Sequence, residues 1–212
     1  MAKNALIFWG GWDGHTPDKS AEVVRGLLTA HGFDVAESTA ALAQKDLSVF
    51  DLIVPMVTMS KIEKEELNAL TAAIAGGVGL AGFHGTMGDS FRNETEYQFM
   101  VGGQWVSHPG NIIDYRVNIT RTEDPIMTGI GDFDYRSEQY YMHVDPSNEV
   151  LATTTFSGDH LDFIKGIVMP VVWKKRYGKG RVFYSSLGHR FEEFDVPQMR
   201  TIFERGAVWA AR

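Results

Sequence analysis

The sequence predicts an α/β fold: a mainly parallel central sheet with helices on both faces, closed by a C-terminal hairpin. Three observations lead there. Short, nearly unbroken apolar runs at residues 4–9, 52–56 and 78–83 read as buried parallel strands. Segments with helical apolar spacing separate them, at 17–31 and 60–75, and strands alternating with helices of that length imply right-handed crossovers. A Tyr-Gly-Lys-Gly sequence at 177–180 sits between two β-type runs, 167–173 and 181–186, and reads as a hairpin turn.

Taken in order, the first run ends in Gly10-Gly11, a loop carrying Trp12, Asp13 and His15. Thr16 is the expected N-cap of a helix with Pro17 at its first position, an apolar stripe at Ala21, Val24, Leu27 and Leu28, and a stop at Gly32. Residues 33–37 and 52–56 give the second and third strands, and Pro55 limits pairing at the end of the third. Ser60 and Glu63 form a capping-box pattern for a helix that closes on Gly76-Gly77. The run 78–83 then ends abruptly at His84, between glycines, at the strand end where open α/β sheets place their ligands.

A second capping pattern, Asn93 with Glu96, leads into a short aromatic helix that ends at Gly102-Gly103. Residues 112–119 alternate as an edge or antiparallel strand, and Asp124-Pro125 marks a turn. Residues 133–145 crowd aromatics with Glu138, His143 and Asp145, and their pattern assigns no local structure. Residues 150–155 give a further strand. Asp195 and Pro197 open a last helix with Ile202, Phe203 and Ala207 on its apolar face.

The bulk numbers narrow the function. A chain of 212 residues holds one sizeable core, so a single domain over 1–212 is expected. A formal charge of -7 argues against nucleic acid or an anionic membrane as partner, and a small molecule fits better. With no cysteine there is no disulfide, no thiolate nucleophile and no Cys-containing zinc site, so any metal needs imidazole and carboxylate ligands. No signal-peptide pattern opens the chain and no apolar run approaches the ~18 residues of a membrane span, so the cytoplasm is the expected compartment.

Seven histidines carry the chemistry. His15, His84 and His189 each follow a strand or its glycine loop, His108 lies in a His-Pro-Gly loop, and His143 in the aromatic segment. His31 is explained by its place in the last turn of a helix and His160 by a surface loop. For each of the other five, a hydrogen-bonded packing role competes with a functional one. If the first and fourth strands are neighbours, His15 and His84 emerge together and the hairpin brings His189 to the same rim. Imidazoles with a carboxylate suit Zn²⁺ or a similar divalent ion, which makes His15, His84, His108, His143 and His189 the candidate ligands. Glu138 and Asp145 are the carboxylates expected nearby. Trp12, Phe83, Trp105, Tyr140 and Tyr141 are candidate walls for a sugar ring, with core packing as the alternative.

Together GFHGT at 82–86, GGQWVSHPG at 102–110, SEQYY at 137–141 and YGKGRVFYSSLGH at 177–189 resemble the ThuA-like family, named for trehalose utilisation, and GGWDGH at 10–15 is similar to its first loop. The resemblance runs in family order over essentially the whole chain. It implies a class I glutamine amidotransferase-like fold, a flavodoxin-like three-layer sandwich. In that comparison His84 stands where an amidotransferase has its cysteine and His189 resembles the amidotransferase histidine, so amidotransferase chemistry is excluded. The resemblance implies sugar metabolism, with a disaccharide or 3-keto sugar as substrate. On this basis His84, Glu138 and His189 are the expected catalytic residues, and Trp12, His15, Thr86, Trp105, Tyr140 and Tyr141 the expected sugar contacts. The reading is a metal-dependent isomerase, lyase or hydrolase in which the ion polarises a ketone or activates water. The alternatives are a non-catalytic carbohydrate-binding or regulatory module with the same cleft, and histidines that only hydrogen-bond within it. A homodimer through the aromatic-rich half is compatible with the sequence, and no periodic stripe requires one.

Overall fold

A computed structural model describes residues 2–39, 42 and 46–212. The chain runs β1 (Lys3–Trp9), α1 (Pro17–Ala30), β2 (Phe33–Ser38), β3 (Leu52–Met56), α2 (Lys64–Gly76), β4 (Gly79–Phe83), α3 (His84–Gly88), α4 (Thr95–Val101), β5 (Gly103–Ser107) and β6 (Ile112–Ile119). It continues through β7 (Phe133–Glu138), β8 (Tyr141–Val144), β9 (Glu149–Thr155), β10 (Val168–Tyr177), β11 (Gly180–Ser185) and α5 (Pro197–Ala210). Nine strands form one sheet in the order β2-β1-β3-β4-β11-β10-β9-β6-β7, and β5 pairs with β8 in a small second sheet. The first five strands of that order are parallel and carry the core; β10, β9, β6 and β7 extend it by antiparallel pairing.

Strand alternation assigns the two faces. Ala5, Ile7, Leu52, Val54 and Phe83 pack with Val24, Leu28, Ile202 and Phe203, so α1 and α5 cover one side. Leu6, Phe8, Ile53 and Leu80 pack with Leu67, Leu70, Ile74, Tyr97 and Met100, so α2 and α4 cover the other. This is the three-layer α/β sandwich expected, and the β10–β11 hairpin lies at the centre of its sheet.

Four local expectations are corrected. Helix α2 starts later than the Ser60 pattern: Glu63 is the N-cap, and Glu66 closes the capping box by accepting the Glu63 backbone N–H at 3.0 Å. The Asn93/Glu96 box does not form, because α4 has Glu94 at its N-cap and no side-chain cap. Asp195 ends a short 3-10 turn, and Val196 is the residue that precedes Pro197 at the start of α5. Thr16 does precede α1, but at φ 47° its hydroxyl makes no cap. The ambiguous segments also resolve: β6 is internal, between β9 and β7, and residues 133–145 divide between two different sheets. Among the described residues no helix is long and apolar enough to cross a membrane.

Candidate metal centre at the carboxyl edge of the sheet

Strand β4 stops at Phe83 in extended conformation, and the next residue, His84, turns sharply at φ 45° into α3. A non-glycine residue with positive φ is a local strain that the surroundings must hold. Here they do: the Tyr184 hydroxyl donates to the His84 carbonyl at 2.9 Å, and Nδ1 of the fully buried ring lies 2.9 Å from the Ser186 carbonyl. A carbonyl only accepts, so Nδ1 carries a proton and leaves Nε2 as the ring atom that can share a proton or bind a metal ion. The neighbouring Gly85 has no side chain for a packing reason, since a Cβ there would meet the His15 ring at 2.5 Å and the Tyr140 hydroxyl at 2.9 Å.

That nitrogen faces the Glu138 carboxylate and the His189 ring. His84 Nε2 is 3.0 Å from Glu138 Oε2 and 3.3 Å from His189 Nδ1, and His189 Nδ1 is 3.4 Å from the same carboxylate oxygen. His15, its Nδ1 held 2.8 Å from the Thr58 hydroxyl, packs edge-on against both rings with centroids 4.9 and 5.0 Å away. One ligand atom from each of His15, His84, Glu138 and His189 lies within 4.8 Å of the others. Lone pairs at such separations repel unless a cation lies among them, either a proton or a metal ion. The three shortest separations match a four-coordinate ion: nitrogen and oxygen ligands at ~2.0–2.2 Å in a tetrahedron stand about 3.4 Å apart. The donor set therefore fits a borderline divalent cation such as zinc.

Electrostatics agree with a site poised to hold positive charge. Burial works against a charge on Glu138, but the His189 and His84 imidazoles outweigh it and hold the carboxyl well below the usual range. His15 is kept neutral: burial, then the neighbouring His84 and His189, lowers its pKa from 6.5 to about 2.

The family profile described as ThuA, trehalose utilisation, matches residues 4–210. The chain belongs to the ThuA family. Among solved structures it is similar to a putative ThuA-like protein from Parabacteroides merdae, with 18% identity, TM-score 0.81, and 99% of this chain and 90% of that one covered. It is similar also to a cytoplasmic protein from Salmonella typhimurium LT2, with 13% identity, TM-score 0.67, and 99% and 100% covered. A β-galactosidase from Bacillus circulans shares the fold over 99% of this chain and 30% of its own length, at 16% identity and TM-score 0.59. At these identities the likeness is one of fold. No curated protein is detectably similar to the chain in sequence.

The ThuA-family chain brings together four of the residues singled out from sequence and leaves others aside. His15 and His84 meet although β3 separates β1 from β4, because the Asp13–His15 turn leans across the end of β3 to reach Thr58. His108 stays at the rim, with Nε2 3.7 Å from Oε1 of Glu138 and Nδ1 without a hydrogen-bond partner among the described residues. His143 is outside the group: alternation on β8 turns Met142 inward and His143 outward, into a depression shared with Thr95, Gln98 and Gly102. Asp145 pairs with Lys175 instead. Thr86 is buried and its hydroxyl donates to the Phe83 carbonyl, so it is not placed to meet a sugar. Tyr140 is buried over the His84 ring with centroids 4.1 Å apart. Sequence reasoning missed Thr58, the Ser186 carbonyl and Glu193, whose carboxylate accepts the His189 backbone N–H at 3.1 Å and the Tyr135 hydroxyl. Only Glu193 leaves a trace in the sequence, four residues after His189.

Proposed function

We propose that the chain is a cytoplasmic, metal-dependent enzyme of sugar metabolism that acts on a disaccharide or 3-keto sugar or glycoside at the carboxyl edge of the sheet. The observation that carries this reading is the set of three separations among His84 Nε2, His189 Nδ1 and Glu138 Oε2, which are close to the edge length of a tetrahedral coordination shell. Membership of a trehalose-utilisation family supports a sugar as the substrate. His84, His189 and Glu138 would hold the ion, with His15 beside them. When bound, the ion would supply Lewis acidity to a ketone oxygen.

The protein's own groups then have two tasks. Ser186 and Thr58 fix the rings of His84 and His15, so the donor atoms stay aimed at one point. Glu138 Oε1, with His108 Nε2 3.7 Å beyond it, takes the proton from the carbon next to the ketone. The electron pair left on that carbon forms a double bond. On a 3-keto glycoside it expels the aglycone oxygen, which leaves as the alcohol with the proton that Glu138 removed; on a free keto sugar, return of that proton to the former carbonyl carbon, with the hydroxyl proton passing between the two oxygens, gives an isomer.

The test is elemental analysis of protein purified without a histidine tag or chelator, beside His84→Ala and His189→Ala, followed by assay on 3-keto glycosides. Near-stoichiometric divalent metal, lost in both variants and required for turnover, is expected. No metal after reconstitution with zinc or manganese would sink the metal mechanism. Saturable sugar binding without turnover would point to a non-catalytic module.

A further inference from the structure

Of the five aromatic side chains named as candidate walls, four are already engaged. Phe83 is fully buried, and Tyr140 lies over His84. Trp105 carries the Arg92 guanidinium 4.8 Å above its ring and tilts against His108 at 5.5 Å. Tyr141 packs on Phe156 at 5.7 Å. Trp12 differs. It is 46% exposed, it packs T-shaped against the His15 ring with centroids 4.8 Å apart, and its indole rests on Gly14, where a Cβ would come within 2.3 Å of the ring carbons. Its backbone N–H bonds the Thr58 carbonyl at 3.1 Å, and the next residue on that turn, Met59, is 45% exposed. A tryptophan and a methionine thus stand exposed on two joined loops, the tryptophan against the His15 ring of the imidazole cluster. Large apolar groups left in water beside a polar site are what a ligand's apolar face covers.

We infer that Trp12 is the stacking platform for a second sugar ring, so that the preferred substrate is a glycoside whose aglycone is itself a pyranose. The reacting ring lies at the cluster and the C–H face of the aglycone ring covers the exposed indole. This rests on the proposed chemistry and adds to it the group that selects a disaccharide over a simple glycoside. Trp12 acts on specificity, and Gly14 positions it.

The experiment compares kcat/KM for a 3-keto disaccharide with that for a methyl 3-ketoglycoside in wild type, Trp12→Ala, Trp12→Phe and Gly14→Ala. The disaccharide-to-methyl ratio is expected to fall about tenfold in Trp12→Ala, to return largely in Trp12→Phe, and to fall in Gly14→Ala as the added methyl displaces the indole. An equal loss on both substrates, or an unchanged ratio, overturns the platform and leaves Trp12 as a cover for His15. If neither substrate is turned over, the reaction reading fails and the platform is still decided by saturation-transfer NMR with trehalose and glucose. Transfer to trehalose that exceeds transfer to glucose and is lost in Trp12→Ala supports it; no such difference overturns it.

Discussion

Two regions of the molecule bury ionisable groups, and they do so in opposite ways. On β10, Lys174 and Lys175 point to opposite faces of the sheet, one beneath Trp209 of α5 and the other beneath Phe99 of α4. Each ammonium meets a carboxylate: Lys174 meets Asp124, with Glu149 at 3.3 Å, and Lys175 meets Asp145. At the carboxyl edge, three imidazoles converge on one carboxylate, and the atoms that face each other are ones that can share a proton or a metal ion. The lysine pairs are complete as built. The imidazole cluster is complete only with a cation, and that asymmetry distinguishes a structural pair from a binding site more clearly than burial does.

The contrast can be broken by mutation. Asp145→Ala leaves Lys175 buried without its partner, which is expected to cost about 3–5 kcal/mol in urea denaturation while leaving metal content intact. Zinc at a hundred times its dissociation constant should stabilise the wild type and Asp145→Ala alike by about 2.7 kcal/mol, and leave His84→Ala unaffected. The same increment in His84→Ala would place the ion elsewhere.

Acid should separate the regions next. The folded state holds the pKa of His15 at about 2 against 6.5 for the free side chain, so below pH 6.5 the unfolded chain binds a proton that the folded chain refuses. Through His15, metal-free protein should therefore lose up to about 1.4 kcal/mol per pH unit below 6.5, a contribution that His15→Gln removes. Asp145, lowered from 3.8 to about 2 chiefly by its Lys175 hydrogen bond, contributes fully above 3.8 and loses that contribution as pH falls toward 2. A titration from pH 6.5 to 4.5 thus reads the cluster and not the lysine pair; a flat profile there would contradict a neutral, buried His15.

The same contrast shows what the chain discloses before it folds. The β4 strand and His84 are legible because a five-residue apolar run ending between glycines has few other readings. Glu138 is legible as a residue type but not as a place, because residues 133–145 serve two sheets whose partners lie elsewhere in the chain. His143 fails on parity: a strand that alternates inward and outward cannot be phased until its start is known, and one residue decides between core and solvent. The Ser186 carbonyl leaves no signal at all, since every residue has one and this one meets His84 across 102 positions. The lysine pairs were hidden for a similar reason, as adjacent lysines in a sequence ordinarily read as a solvated face.

Thr58 gives the smallest effect and the sharpest question. Its hydroxyl is the only hydrogen-bond partner found for the His15 ring among the described residues, across 43 positions. Thr58→Val keeps the volume and removes that bond, at a cost of about 1 kcal/mol in stability. If His15 is a ligand, loosening its ring should weaken zinc binding roughly 10–100-fold in a competition titration against a chelator. If affinity does not change, His15 is a neighbour and not a ligand. The shell is then His84, His189 and Glu138, whose mutual separations of 3.0, 3.3 and 3.4 Å already describe one face of a tetrahedron. Three protein ligands leave the fourth position to water or substrate, the arrangement that catalysis requires and a closed structural site lacks. An unchanged affinity in Thr58→Val would therefore cost the site a ligand and strengthen the case for an enzyme.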